Sequence, residues 1–403
     1  MTQTGLAVEK ISAKRNRLFI YFPVLLAFIL IPLDLSQAIN YSDLDPNLPF
    51  GQKVPLISLL NTLTEEECHY LGVHRRSLPF YQKKNFSLKE IQADYIILEF
   101  LNRYCVSCLS QAPIIDKLYR KVMQDDTLRD RVKVLAIGVG NNQREVQQFR
   151  DEKKVSFPMI PDPEFEAYDA LGNPGGTPFL LIIRKTSEGE ILAESHLGFI
   201  ENEEILFRKV QELFSFDMAS FQDEAADYVS FEGKIWEPPI SLTEEVIQDH
   251  IGRSILQGDG QKHLSIQKKD LSGYGHVYIA DLSAPEGRGR WFAKVYIKAP
   301  VCDVCHPVYF LLIFNEEGIV TDFVPLYITK YGNIPITSQD IQNLKGRIVG
   351  RNLENKYQFH PEYDSITGAT ISTSLIFHGL NKAGGLYREL QRQGYTPGHQ
   401  AED

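Results

Sequence analysis

The strongest constraint on this chain is a buried-strand run that feeds directly into paired cysteines. Tyr95–Leu101 (YIILEFL) is almost wholly apolar, and Cys105-Val-Ser-Cys108 follows four residues later. Helical spacing then runs from Ser110 to Met123. A buried strand that ends in a helix start implies a covered sheet with crossover helices. The pattern continues with a second buried strand at 132–139, a polar helix at 143–153 and a short extended piece at 157–160. A helical turn at 164–171, a strand at 179–183, a turn at Glu188-Gly189 and a partner strand at 191–196 follow, with an amphipathic helix at 201–214 closing the unit. Strands, crossovers and a closing hairpin predict a three-layer α/β sandwich with a mixed sheet.

The cysteine pair carries chemistry in that frame. The first cysteine falls at a helix N-terminus, where backbone N–H groups and the macrodipole favour thiolate. The second lies one turn on, within reach to resolve a mixed disulfide. A structural disulfide or half of a zinc site are the alternatives, and no further ligands stand at zinc-ribbon spacing.

The chain has 403 residues, enough for two or three domains, and five cysteines, too few for a disulfide scaffold. Cys68 stands alone and reads as a buried or incidental thiol. With 52 acidic against 42 basic side chains and no basic stripe, nucleic acid is not an expected partner. At the N-terminus, Lys10, Lys14, Arg15 and Arg17 precede an apolar run from Leu18 to Leu33 that exits at Ser36-Gln37-Ala38. This predicts export, with residues 1–38 as a cleaved signal or a retained membrane anchor. Residues 39–85 read as a lead-in, with a capping box at Thr64-x-x-Glu67.

Residues 86–215 resemble the thioredoxin-fold proteins of the TlpA-like and peroxiredoxin-like superfamily. The resemblance rests on Phe86-Ser-Leu-Lys-Glu-Ile before the first strand and on Tyr104, where that family usually has Trp. Pro113 in the first long helix and Gly176-Thr177-Pro178 before a strand complete it. It implies a cis bond at Pro178 facing the cysteines, Cys105 as attacking thiol and Cys108 as resolving thiol. No P-x-x-x-T-x-x-C string of a peroxidase is present, so exchange with protein dithiol or disulfide clients is expected over peroxide reduction.

After a linker at 216–239, residues 240–390 form a second unit, with a tail at 391–403. Helices are expected at 243–256, 338–344 and 371–383, the last stopped by Gly384-Gly385. Strands are expected at 277–282, 292–298, 308–314 and 319–325. Asp364-Ser-Ile-Thr-Gly-Ala-Thr370 precedes the last helix, a place that suits a phosphate as well as a plain N-cap. This stretch resembles the motif of FMN-binding domains, as in the flavoprotein subunits of Rnf complexes and sodium-pumping quinone reductases. The resemblance implies a small α+β FMN-binding domain with FMN joined through its phosphate to Thr370. Asp364 would serve recognition by a flavin transferase, and Thr367, Gly368, Ala369 and Ser372 would complete the site.

Cys302-Asp-Val-Cys305-His306 is the attachment string of c-type haem, with His276, His360 or His378 as distal candidates. A redox dithiol near the flavin, or a plain disulfide, are its other readings. No metal site is expected. The reading that uses the most features is an extracytoplasmic oxidoreductase and electron-transfer protein that couples the FMN domain, linked to a membrane electron donor or acceptor, to thiol–disulfide exchange at Cys105–Cys108. A binding module with a static disulfide and a c-type cytochrome are the rivals.

Overall fold

A computed structural model describes residues 51–396, except 75, 79–80, 83, 173, 216–241, 257–261, 286 and 303–304. The expected signal or anchor at 1–38 and the whole linker at 216–239 lie outside the described residues. No helix among the described residues is long and apolar enough to cross a membrane.

The first unit begins with β1 (Ser58–Leu60), α1 (Glu65–Leu71) and β2 (Asn85–Ser87), with β1 and β2 paired antiparallel. Thr64 and Glu67 form the expected capping box, and Cys68 is buried within α1. Then come β3 (Tyr95–Leu101), α2 (Val106–Gln124), β4 (Val132–Val139), α3 (Gln143–Lys153), β5 (Met159–Asp162) and α4 (Glu166–Ala170). The unit closes with β6 (Phe179–Thr186), β7 (Gly189–Leu197) and α5 (Glu203–Ser215). The sheet order is β5-β4-β3-β6-β7. The pairs β3–β4 and β4–β5 are parallel, and β3–β6 and β6–β7 antiparallel. Every residue of β3 and β4 is buried, as central strands covered on both faces require. This is the mixed sheet that the strand pattern predicts, with the thioredoxin-like arrangement that the resemblance implies.

The second unit comprises α6 (Glu244–Ile255), β8 (His263–Leu271), β9 (Gly275–Ala284), β10 (Gly287–Lys298), β11 (Val308–Asn315) and β12 (Val320–Tyr327). After these come α7 (Ser338–Ile348), α8 (Pro361–Asp364) and α9 (Thr370–Arg392). The five strands form an antiparallel meander in chain order. Side chains alternate across it, as strand geometry demands. Leu311 and Ile313 join Ile247, Ile251 and Ile255 of α6 in one small core. Phe310, Leu312 and Phe314 join Ile376, Phe377 and Leu380 of α9 in another, and that core is continuous with the first unit's.

Two expectations need correction. Strand β8 was not expected, because its residues are mostly exposed and polar on an edge. Helix α9 does not stop at Gly384-Gly385 but runs through both glycines to Arg392. The glycines are there for packing. A Cβ on Gly384 would lie 2.4 Å from the Leu353 carbonyl oxygen, and one on Gly385 would lie 2.9 Å from the Tyr274 hydroxyl. Close approach of other chain segments, not helix termination, explains the absent side chains.

Candidate functional site

The loop from β3 to α2 is fixed before any chemistry begins. The Asn102 side-chain amide donates to the Val139 carbonyl at 2.7 Å, and the Arg103 N–H donates to Asn141 Oδ1 at 2.8 Å. Tyr104 donates from its hydroxyl to Glu145 at 2.7 Å. Cys105 is thereby held as the N-cap of α2, and its sulfur accepts the Cys108 N–H at 3.2 Å. Pro113 lies inside α2, as expected.

The Thr177–Pro178 peptide bond is cis, and Thr177 is fully buried against both cysteines. The Cys105 thiol donates to the Thr177 carbonyl at 3.4 Å, and the Cys108 thiol donates to the Thr177 hydroxyl at 3.4 Å. Both cysteines have no exposed surface. Burial, reinforced by the neighbouring Cys105, pushes the Cys108 thiol well up from its ordinary range. Cys108 therefore keeps its proton until a base removes it.

One acidic residue escaped the sequence reading. Glu99 sits in β3 with no exposed surface, and Gln111, one turn after Cys108, donates to it at 2.8 Å. Burial raises its carboxyl from 4.5 to about 7. A buried carboxyl poised near neutrality can take or return a proton. Its signal was visible: it is the one charge in an otherwise apolar central strand.

The second unit covers this site. The Thr177 hydroxyl, which receives the Cys108 thiol, donates in turn to the Val301 carbonyl. The next residue, Cys302, is 4% exposed and disulfide-bonded to Cys305. Haem attachment would need both of these sulfurs as thioethers, and here each is joined to the other. Of the histidines considered as distal ligands, His378 is buried between Lys298 and Asp169, and His276 is exposed beside Asp270. His360 is the N-cap of α8. Among the described residues no group of three or more His, Cys, Asp or Glu is placed to hold a metal ion.

A cleft of about 540 Å³ opens above the disulfide. The start of α2 contributes Arg103, Tyr104, Val106 and Leu109 to it. Cys302, Cys305 and His306 form one wall, and Thr329–Tyr331 and Gly368–Ser372 form another. Thr370 is the first residue of α9, a helix of 23 residues, and is half-buried. Gly368 takes a positive φ of 76°, and its carbonyl accepts the Tyr331 N–H at 2.6 Å. Ser372 donates to the Thr329 carbonyl at 3.2 Å. Asp364 and Thr367 line a neighbouring cleft instead, where Arg347 lies 3.4 Å from the Asp364 carboxylate. The His360 N–H also donates to Asp364, at 2.8 Å.

Comparison with known proteins agrees with the first unit. Residues 74–188 match the model of the AhpC/TSA family. Thiol-disulfide oxidoreductase ResA of Halalkalibacterium halodurans is 27% identical over 89 residues, which is 22% of this chain and 48% of that protein. The alignment thus spans about half of the curated relative's length. Among solved structures, a putative thiol:disulfide interchange protein DsbE from Chlorobium tepidum aligns with 41% of this chain and 97% of its own. It has 16% identity and a TM-score of 0.31. StoA from Bacillus subtilis aligns with 32% of this chain and 89% of its own, at 21% identity and a TM-score of 0.26. The chain carries a thiol-disulfide oxidoreductase-like thioredoxin fold with an adjacent cysteine pair.

Proposed function

We propose that this chain is an extracytoplasmic oxidoreductase that couples thiol–disulfide exchange at Cys105–Cys108 to an FMN held by the second unit. The observation that carries the reading is the shared cleft. The start of the cysteine helix, the Cys302–Cys305 disulfide and the Gly368–Ser372 turn all border it.

The residues present fit the group. The cleft volume lies within the range of about 300–1,000 Å³ typical of cofactor sites. Thr370 offers a hydroxyl for a phosphoester, and the first turn of α9 offers backbone N–H groups to a phosphate. Tyr104, Tyr331 and the disulfide would border the ring system. When bound, a flavin supplies one- or two-electron transfer, which joins single-electron donors to two-electron disulfides.

The chain's own residues carry the exchange step. Cys105 thiolate attacks a disulfide sulfur, a mixed disulfide forms, and the leaving sulfur takes up a proton. Cys108 then gives up its proton, attacks Cys105 and releases the partner as a dithiol, leaving Cys105–Cys108 oxidised. Glu99, joined through Gln111 to the helix that carries Cys108, would accept the Cys108 proton. Protein dithiols or disulfides are the clients, a membrane protein is the electron donor or acceptor, and a flavin transferase matures the second unit. The apolar run at 18–33 would export the chain and could hold it at the membrane.

The test is intact mass and an absorption spectrum of the protein made with a flavin transferase. The reading expects the mass of one esterified FMN and a flavin band, both lost in Thr370→Ala. A bare-chain mass without a visible band overturns the flavin half. Inability of the protein either to reduce a model protein disulfide or to oxidise a model protein dithiol overturns the exchange half.

A further inference from the structure

We infer that the immediate exchange partner of Cys105–Cys108 is the chain's own Cys302–Cys305 disulfide, and that Cys105 attacks Cys302. This deepens the function proposed above and rests on it for the wider electron route, but its chemistry needs no flavin.

Three observations carry it. The first is burial. Cys105 and Cys108 have no exposed surface and do not border the cleft, whereas Cys302 and Cys305 do. The disulfide, and not the thiol pair, faces the cleft. The second is anchoring. Thr177 binds the Cys105 thiol through its carbonyl and the Cys108 thiol through its hydroxyl, and it holds the Val301 carbonyl, one residue before Cys302. One residue thus touches both thiols, through its carbonyl and its hydroxyl, and the backbone that presents the disulfide. The third is packing. Cys302 shares one packed core with Cys105 and Cys108, while Cys305 is only partly buried against it.

The step balances without another reactant. Cys105 gives up its proton and its Sγ bonds to Cys302 Sγ, the Cys302–Cys305 bond breaks, and Cys305 leaves as a thiolate that takes up a proton. Cys108 loses its proton and bonds to Cys105 Sγ, the Cys105–Cys302 bond breaks, and Cys302 leaves as the second thiolate and is protonated. Two electrons move from the first pair to the second. Run backwards, the same steps carry electrons inward from the cleft to Cys105–Cys108.

The experiment uses the full chain made without a flavin transferase. In Cys108→Ser/Cys305→Ser, one equivalent of diamide should give a monomeric Cys105–Cys302 cross-link in most molecules, read by non-reducing peptide mapping. Cys108→Ser/Cys302→Ser should give about tenfold less Cys105–Cys305 cross-link, since attack depends on position. Free thiols, or only concentration-dependent dimers, in the first variant overturn the inference. A second measurement covers poor folding of those variants. With both outer cysteines changed, in Cys302→Ala/Cys305→Ala, oxidation of Cys105–Cys108 by oxidised glutathione should slow about tenfold, because the small-molecule-accessible relay is gone. An unchanged rate overturns the inference. Absence of bound FMN would sink the flavin reading and leave both results unaffected.

Discussion

Replacing Glu99 by Gln should make the protein more stable above neutrality and leave it nearly unchanged in acid. The wild-type carboxyl has no exposed surface and is pushed up from 4.5 to about 7 by burial. A raised carboxyl binds its proton more tightly when folded, so the unfolded chain carries fewer protons between those values. Wild-type stability then falls as pH rises through that interval and levels off above it. At about 1.4 kcal/mol per pH unit, the ionised carboxyl costs about 3 kcal/mol. Gln removes that cost while its side chain still accepts from Gln111. Asp162, also raised to about 7 by burial, adds a loss of the same sign in both proteins, so the difference between them isolates Glu99. Urea unfolding of both proteins from about pH 4 to about pH 8 measures it. The gain should grow from near zero to about 3 kcal/mol, and the neutral-pH step in the rate at which dithiothreitol reduces Cys105–Cys108 should flatten. A stability difference that stays constant with pH would refute the buried-acid argument.

Other outcomes follow from single contacts. Thr177→Val strands the buried Val301 carbonyl and should cost about 1–3 kcal/mol, with faster alkylation of Cys302 after mild reduction. Gly384→Ala sets a methyl 2.4 Å from the Leu353 carbonyl and should cost about 1–3 kcal/mol in thermal unfolding, against the gain expected for Gly→Ala in an exposed helix. Thr370→Ala should abolish any esterified flavin in the intact mass while leaving the unfolding midpoint of the flavin-free chain within about 0.5 kcal/mol of wild type.

Much of the first unit was legible because its signals are local. A seven-residue apolar strand, a cysteine pair and a helical repeat lie within 30 residues, and β3 and α2 form where that order predicts. The cis bond before Pro178 followed from resemblance rather than from any local propensity. What failed to show was tertiary. Gly384 and Gly385 carry the local pattern of a helix stop, yet Leu353 and Tyr274 approach them from elsewhere and the helix continues. Strand β8 hides because an exposed edge need not alternate. Above all, nothing local joins Thr177 to Val301 across 124 positions, and that contact ties the residue before Cys302 to the residue that binds both thiols of the first pair.

The most direct test of the shared electron route is light-driven reduction of the flavin-loaded protein under argon, starting with both cysteine pairs oxidised. After return to the dark, isotope-coded alkylation counts new thiols at Cys105 and Cys108 while the flavin band is followed. The account predicts that thiols appear at these two positions as the oxidised flavin band returns. A flavin that stays reduced beside an intact Cys105–Cys108 disulfide would contradict it.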